Sequence, residues 1–283
     1  MNMDGPMKKK NLLKKILNKT FVYALLIIFA LFMMGPFLWL LSVSLMPGKN
    51  IFAFPPAILP TFIDFKNYLE VWEYMDFLKY IWNTVIITFL GVTFSILFSA
   101  LTAYPLAIFK FKGRNFIFLL LVSTMIIPAA AGLVVNYLTI NKMGLINTFT
   151  GVVLPTLVSV FNVFLFRQAF MGIPTDIRDS GKMDGASELR IWGQLMMPMI
   201  KPAVAVVGLF EFMANWNSFL WPIIVLNTEK YPLASALSFL NGQFSYNFGW
   251  IAAGTVISVL PIIFVFLFTQ KYYMEGISGA VKG

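Results

Sequence analysis

The sequence predicts an all-α polytopic membrane protein with six transmembrane helices. Three observations carry that reading. Of 283 residues, 59% are hydrophobic and only 12% are charged, about half the charge of an ordinary soluble domain. The apolar residues fall into long stretches almost free of charge. The basic residues collect in alternate gaps between those stretches. Thirty Phe and no Cys exclude a disordered chain and a disulfide scaffold.

Each span follows from its uncharged run. There are 29 residues between Lys19 and Lys49, 30 between Lys79 and Lys110, 27 between Arg114 and Lys142, and 24 between Lys142 and Arg167. Another 27 lie between Lys201 and Glu229, interrupted only by Glu211, and 40 lie between Lys230 and Lys271. About 20 apolar residues cross the hydrocarbon. The first half of the last run carries Asn241, Gly242, Gln243, Ser245, Tyr246 and Asn247, so the sixth helix is placed near 249–270. The runs are continuous and do not alternate, which favours helices over a barrel. Lysines precede the first run and Ser42-Val43-Ser44 resembles a cleavage site, but residues 21–41 exceed the ~7–15 residues of a signal-peptide core. The run is expected to remain as an anchor.

Charge orients the spans. Lys and Arg number six in residues 1–20, three in 110–114, five in 167–201 and two in 271–283. The opposite side holds Lys49, Lys66, Lys79, Lys142 and Lys230. The positive-inside rule places the richer side, with both termini, in the cytoplasm of a cell membrane. The net charge of +9 is thereby assigned to topology, with no nucleic acid implied.

Residues 1–20 form a basic cytoplasmic segment whose stretch Asn11–Leu17 is expected to lie on the lipid surface. Residues 21–46 are the first helix. Residues 47–79 are external, with Pro47, Pro55, Pro56 and Pro60 followed by an amphipathic stretch from Asp64 to Lys79. Tyr68, Leu69, Trp72, Met75 and Phe77 give that stretch an aromatic face suited to anchoring at the interface. Lys110–Arg114 is an inner turn and Asn141–Asn147 an outer one. Pro105, Pro128, Pro155, Pro222 and Pro261 invite kinks within or near five spans.

The absence of His and Cys removes thiolate, imidazole and Ser-His-Asp chemistry. No catalytic residue, metal site or cofactor site is expected in this chain. The substantial cytoplasmic connection runs from Arg167 to Lys201. Pro174 is suited to opening a helix, and Asp184-Gly185 is a turn dipeptide. A second helix is expected near Ala186, giving two short helices that meet at a bend. That shape suits a partner's groove, and equally a plain connection between spans.

The connection resembles the EAA motif of importer-type ABC permeases, E-A-A-x3-G-x9-I-x-L-P. Asp179-Ser180-Gly181 stands for Glu-Ala-Ala, Gly185 follows after three residues, and nine more lead to Leu195-x-Met197-Pro198. Every spacing is kept, although Gly181 weakens a helix by ~1 kcal/mol relative to Ala. Ile173-Pro174, Met183–Ser187, Lys201-Pro202-Ala203, Asn215–Pro222, Asn83-Thr84, Asn141–Thr148 and Gly279–Gly283 also look like the carbohydrate (maltose and multiple-sugar) branch, in particular its shorter membrane subunit.

The resemblance implies a type I ABC importer permease fold, with residues 80–271 as the five-helix core, a coupling loop at 171–202 and a cytoplasmic tail at 272–283. It implies a heterodimer with a second homologous permease subunit, two ATPase subunits and an extracytoplasmic solute-binding protein, carrying a sugar across membrane lipid. Neither Gly48-Lys49 nor Gly181-Lys182 belongs to a phosphate loop, so ATP and Mg would be bound by the partner ATPase. The family pattern gives ATPase coupling to Asp179, Ser180, Gly181, Asp184, Gly185, Ala186 and Pro198. A second contact falls on the tail at Gly279, Lys282 and Gly283, against the reading of a disordered tail. For the substrate path the candidates are Glu211, the sole acid within a span, with Asn215, Trp216 and Asn217. Glu211 and Asn215 equally suit hydrogen bonds between helices. The outer segment Tyr231–Asn247 is long enough to touch a docked binding protein or to be an ordinary surface loop. A secondary transporter or a channel subunit is the alternative, and it lacks repeat-related halves or a filter motif here.

Overall fold

In lipid a backbone must satisfy its own hydrogen bonds, and helices do so within one segment. The computed structural model describes residues 5–47, 59–60, 62–243 and 248–280, and among them the regular structure is entirely helical. Three helices are long and apolar enough to cross a membrane alone: Lys15–Ser44, Phe77–Ile108 and Phe248–Lys271. Three bent pairs supply the rest if each is one span: Arg114–Ile126 with Ala130–Lys142 (93°), Phe149–Thr156 with Val160–Met171 (51°), and Glu188–Met199 with Lys201–Trp216 (84°). Counting each bent pair as one span gives six candidates, three of them broken.

The chain forms two units, Met1–Val71 with Tyr246–Val256, and Trp72–Ser245 with Ile257–Gly283. In the first unit, α1 runs from Gly5 to Ser44 without a break. The basic segment and the first span are thus one helix, since no Gly or Pro separates Asn11 from Gly35. None of its most apolar window is buried, as expected of a helix that is hydrophobic all round. The external stretch forms α2, Lys66–Tyr74. Asn67 Nδ2 donates to the carbonyls of Ser44 (3.0 Å) and Met46 (2.8 Å), which serves the open C-terminal end of α1. Trp250 Nε1 donates to Glu70 Oε2 at 2.8 Å.

The second unit is organised around α3, Phe77–Ile108. After it come α4 (Arg114–Ser123), α5 (Leu133–Lys142), α6 (Phe149–Val153) and α7 (Val160–Met171). Then come α8 (Thr175–Met183), α9 (Glu188–Arg190), a π-helix at Ile191–Met196, and α10 (Met197–Met199). The chain ends with α11 (Lys201–Trp216), α12 (Leu220–Val225), α13 (Leu233–Gln243) and α14 (Phe248–Ala280), the last shared between both units. Helices α3, α7 and α11 pack together around Ala100, Ala103, Val163, Phe166, Phe170 and Val207. Small residues on α3 let the neighbours approach closely.

The five expected kink prolines behave differently. Pro105 and Pro261 lie inside unbroken helices. Pro128 and Pro155 stand at breaks, and Pro222 lies in α12 just after one. Pro128, Pro155 and Pro222 stand at or near the start of the segment that follows, where the missing N–H has no partner to lose. The Asn141–Asn147 turn contains Gly144 at φ 68° and Asn147 at φ 58°. Asn147 is a staple: its N–H donates to Val225 O (2.8 Å), its Oδ1 accepts from Asn227 N–H (3.1 Å), and its carbonyl accepts from Lys230 Nζ (2.7 Å). Asn83 Nδ2 donates to Tyr231 O at 3.1 Å, and Thr84 Oγ1 accepts from Leu233 N–H at 2.8 Å. Two of the motif segments therefore fasten one face of this unit.

Candidate functional site

Two sites emerge in the second unit, an exposed elbow and a cavity. The elbow begins where Pro174 precedes α8, and Gly185 at φ 74° makes the bend. The second helix starts two residues later than expected, because Ser187 caps it by accepting from Arg190 N–H at 3.4 Å. Helix α8 therefore spans Thr175–Met183, and Asp184 to Ala186 form the turn. Asp179, Ser180, Asp184, Gly185 and Pro198 are exposed, Ala186 is half-buried and Gly181 is buried. Gly181 faces Ile191 and Leu195, where a Cβ would approach Leu195 Cδ1 to 2.9 Å. The close approach accounts for glycine at this position, since even the methyl of an alanine would need Leu195 to shift.

The inner face of the elbow is tied down. Ile191 and Met196 are fully buried in the same core as Tyr104, Phe166 and Phe170. Arg178 Nη2 donates to Glu188 Oε1 at 2.6 Å, Lys182 Nζ reaches the same oxygen at 3.0 Å, and Tyr104 Oη donates to Oε2 at 2.9 Å. Arg178 also stacks over Phe109, 5.1 Å from the ring centre. Glu188 stands among Arg178, Lys182, Arg190 and Lys201, and that density of charge places it outside the apolar run that begins after Lys201. Burial alone would raise its carboxyl. The hydrogen bonds from Arg178, Lys182 and Tyr104 outweigh that and hold it at about 2. The tip carries Met183 at 88% and Leu189 at 71% exposure. Leu189 is not singled out by the sequence, and Met183 enters only as the first residue of a resembling segment, although both flank the Gly185 turn.

The cavity at the helix breaks measures about 690 Å³, within the usual range for small-ligand sites. Three interruptions meet there. Thr124, Pro128 and Gly132 come from the break between α4 and α5, Pro155 and Thr156 from that between α6 and α7, and Ser218 from that between α11 and α12. Irregular backbone at membrane depth is tolerated where it is buried in protein or lines a wet cavity. Asn136, Asn215 and Trp221 complete the polar and aromatic lining.

Behind Asn215 stands a buried polar cluster. Asn162 Nδ2 donates to Glu211 Oε1 at 2.6 Å and to Ser95 Oγ at 3.1 Å. Asn215 Nδ2 donates to Glu211 O at 2.9 Å and Oε2 at 3.3 Å. Glu211 is only 9% exposed. The structure thus joins Glu211 to Asn215 and adds Ser95 and Asn162, which their spacing in the chain could not reveal. Trp216 is apart from them, donating through Nε1 to Ser258 O at 2.9 Å and stacked on Phe212 at 5.3 Å. Asn217 is exposed and donates to Met213 O at 2.9 Å. Gly279 falls in the last turn of α14, and Lys282 and Gly283 lie outside the described residues.

Long apolar helices, interruptions gathered on one uncharged cavity and an exposed elbow define a multi-pass membrane transport subunit. The chain belongs to the family of binding-protein-dependent transport system inner membrane components, which it matches over residues 95–278. It is 35% identical to the arabinooligosaccharides transport system permease protein AraQ of Bacillus subtilis, over 88% of this chain and 90% of that one. It is 30% identical to the lactose transport system permease protein LacG of Rhizobium radiobacter, over 92% of this chain and 95% of that one. Its fold matches a chain of a bacterial ABC transporter involved in import of the acidic polysaccharide alginate. The TM-score is 0.78 at 27% identity, covering 92% of this chain and 98% of that one.

Proposed function

We propose that this permease subunit carries an oligosaccharide inward, forming half of the translocation path beside a second homologous permease. The convergence of three helix breaks on one cavity carries the reading. A transport path needs polar, wettable backbone at membrane depth, and that is where this chain supplies it. The sugar relatives support the substrate class. Energy comes from two separate ATPase subunits that bind ATP and Mg, and an extracytoplasmic binding protein delivers the sugar. Both termini face the cytoplasm, as the basic residues favour.

The elbow couples the path to the ATPases. Asp179, Ser180, Asp184 and Gly185 present a polar tip beside the apolar knobs Met183 and Leu189, a mixture suited to a partner's groove. Gly181 and Ala186 seat the inner face, and Pro198 marks the turn toward α11. The tail at Gly279, Lys282 and Gly283 is the second contact. For the path, Asn215 borders the cavity directly, Glu211 acts through it, and Trp216 and Asn217 flank the same end of α11. Residues 231–247 are the contact for the binding protein.

The test is reconstitution of this chain with its companion permease, ATPases and binding protein in liposomes. Uptake of a labelled neutral oligosaccharide should require ATP and the binding protein, and should fall at least tenfold on Asp179→Lys while the subunit still inserts. Uptake that runs without the ATPases, or an elbow that touches no ATPase in the assembled complex, overturns the proposal.

A further inference from the structure

The cavity at the helix breaks holds more than a passage. Among its described lining residues none is charged. The acid closest in function, Glu211, is turned away from it by bonding. Its carboxylate accepts from Asn162 and Asn215, and the Asn215 amide nitrogen divides its donors between that carboxylate and the Glu211 backbone carbonyl. Thr124 and Thr156 are also committed, their hydroxyls donating to Leu121 O and Val153 O at 2.7 and 2.9 Å. Trp221 spends its indole N–H on Val152 O at 3.1 Å, so it offers the cavity an apolar ring. Two side chains remain uncommitted: the Asn136 amide and the Ser218 hydroxyl, which make no side-chain hydrogen bond among the described residues.

We infer that this cavity is itself a binding site for an uncharged, hydroxyl-rich ligand, read by Asn136 and Ser218 against the ring of Trp221. The inference rests on the cavity lying in the translocation path, and it deepens that reading by naming the ligand class and the groups in this chain that touch it. An amide offers donors and an acceptor, and a hydroxyl offers both, which matches the hydroxyls of a neutral sugar. The flat ring covers the apolar C–H face of a pyranose or furanose. A carboxylate-bearing sugar meets no cation here, and burying an unpaired charge is costly. The donors of Asn215 are already satisfied, so the Glu211 carboxylate is a positioning group for its Oδ1 and does not itself receive the ligand.

The chain has no cysteine, so single thiols can report on the cavity in an importer whose partner subunits have had any cysteines replaced by serine. Ser218→Cys and Asn136→Cys would be made in the complete complex, with Phe89→Cys on an exposed apolar face of α3 as the control. A charged methanethiosulfonate reagent should modify the two cavity thiols at least tenfold faster than the control. In the vanadate-trapped complex with its binding protein, a panel of arabinotriose, lactose and raffinose should slow that reaction at least fivefold through at least one member. A panel of trigalacturonate and an alginate trisaccharide should not slow it. Two variants are used so that a loss of assembly in one leaves the other to report, and uptake of radiolabelled sugar by the cysteine-free complex is measured first. Protection by a uronate, protection by neither panel, or equal modification of cavity and control thiols overturns the inference. If uptake runs normally in those cases, the permease reading stands and this one falls. If the cysteine-free complex transports no sugar at all, the parent reading falls instead.

Discussion

Gly185 holds φ at 74° at the tip of the elbow, a region that β-branched side chains reach only at a cost of about 1–3 kcal/mol. Gly185→Val should therefore reshape the bend without disturbing the spans. The expected result is at least a tenfold loss of the ATPase stimulation given by sugar-loaded binding protein, with insertion and complex assembly unchanged. Normal stimulation would detach the bend from coupling. Gly91 is constrained by space instead. A Cβ there would run into the side-chain amide of Asn215, which cannot withdraw without giving up its bonds to Glu211. Gly91→Ala should destabilise the second unit by about 1–3 kcal/mol, seen as a lower Tm in detergent, whereas an unchanged Tm would show that the amide can move freely. The bend glycine was legible in the sequence because Asp-Gly is a turn signal. The packing glycine was not, since its partner is over a hundred positions away in the chain and on another helix.

At the scale of elements, Glu188 fastens α8 to the end of α3 through Arg178 and Tyr104. Its carboxyl lies at about 2, below the ordinary 4.5. The stabilisation is complete above pH 4.5 and is lost as pH falls through about 2. Glu188 is partly exposed, so solvent screening keeps the effect near the modest end for an ion pair. Pepsin cleavage within residues 175–199 of the complex should therefore accelerate between pH 4.5 and 2, relative to a reference site elsewhere in the chain. Glu188→Gln should cleave at the faster rate already at pH 4.5 and lose that pH dependence, and a variant that kept it would place the titration elsewhere. The existence and spacing of the elbow were readable from Pro174, Gly185 and Pro198. The tie was not, because Tyr104 comes from a different helix and carries no motif. The staple at Asn147 is similar: the turn is visible in sequence, but its partners at 225–230 appear only when the chain is folded.

At the scale of the molecule, hydropathy found every long apolar run, because length and the lack of charge are local properties. It could not tell a continuous span from a broken one. That distinction depends on where Pro128, Pro155 and the polar run at Asn215–Ser218 meet in space, and a window average smooths over all three. The topology has a direct check. Single thiols introduced at residues 19 and 112 should react with an impermeant reagent only from the cytoplasmic side, and one at residue 142 only from the opposite side; any other distribution reverses the orientation. The same check applies whatever the sugar turns out to be. The π-helix at Ile191–Met196 leaves one last consequence. Such a stretch holds one residue more than an α-helix of the same rise, like a spare tooth in a gear. Taking out Gly193 should therefore restore the ordinary pitch with both flanks still in phase, whereas adding a residue to an unbulged turn would swing Gly185 and its neighbours by about 100° around the axis, leaving a full set of spans with its handle facing the wrong way.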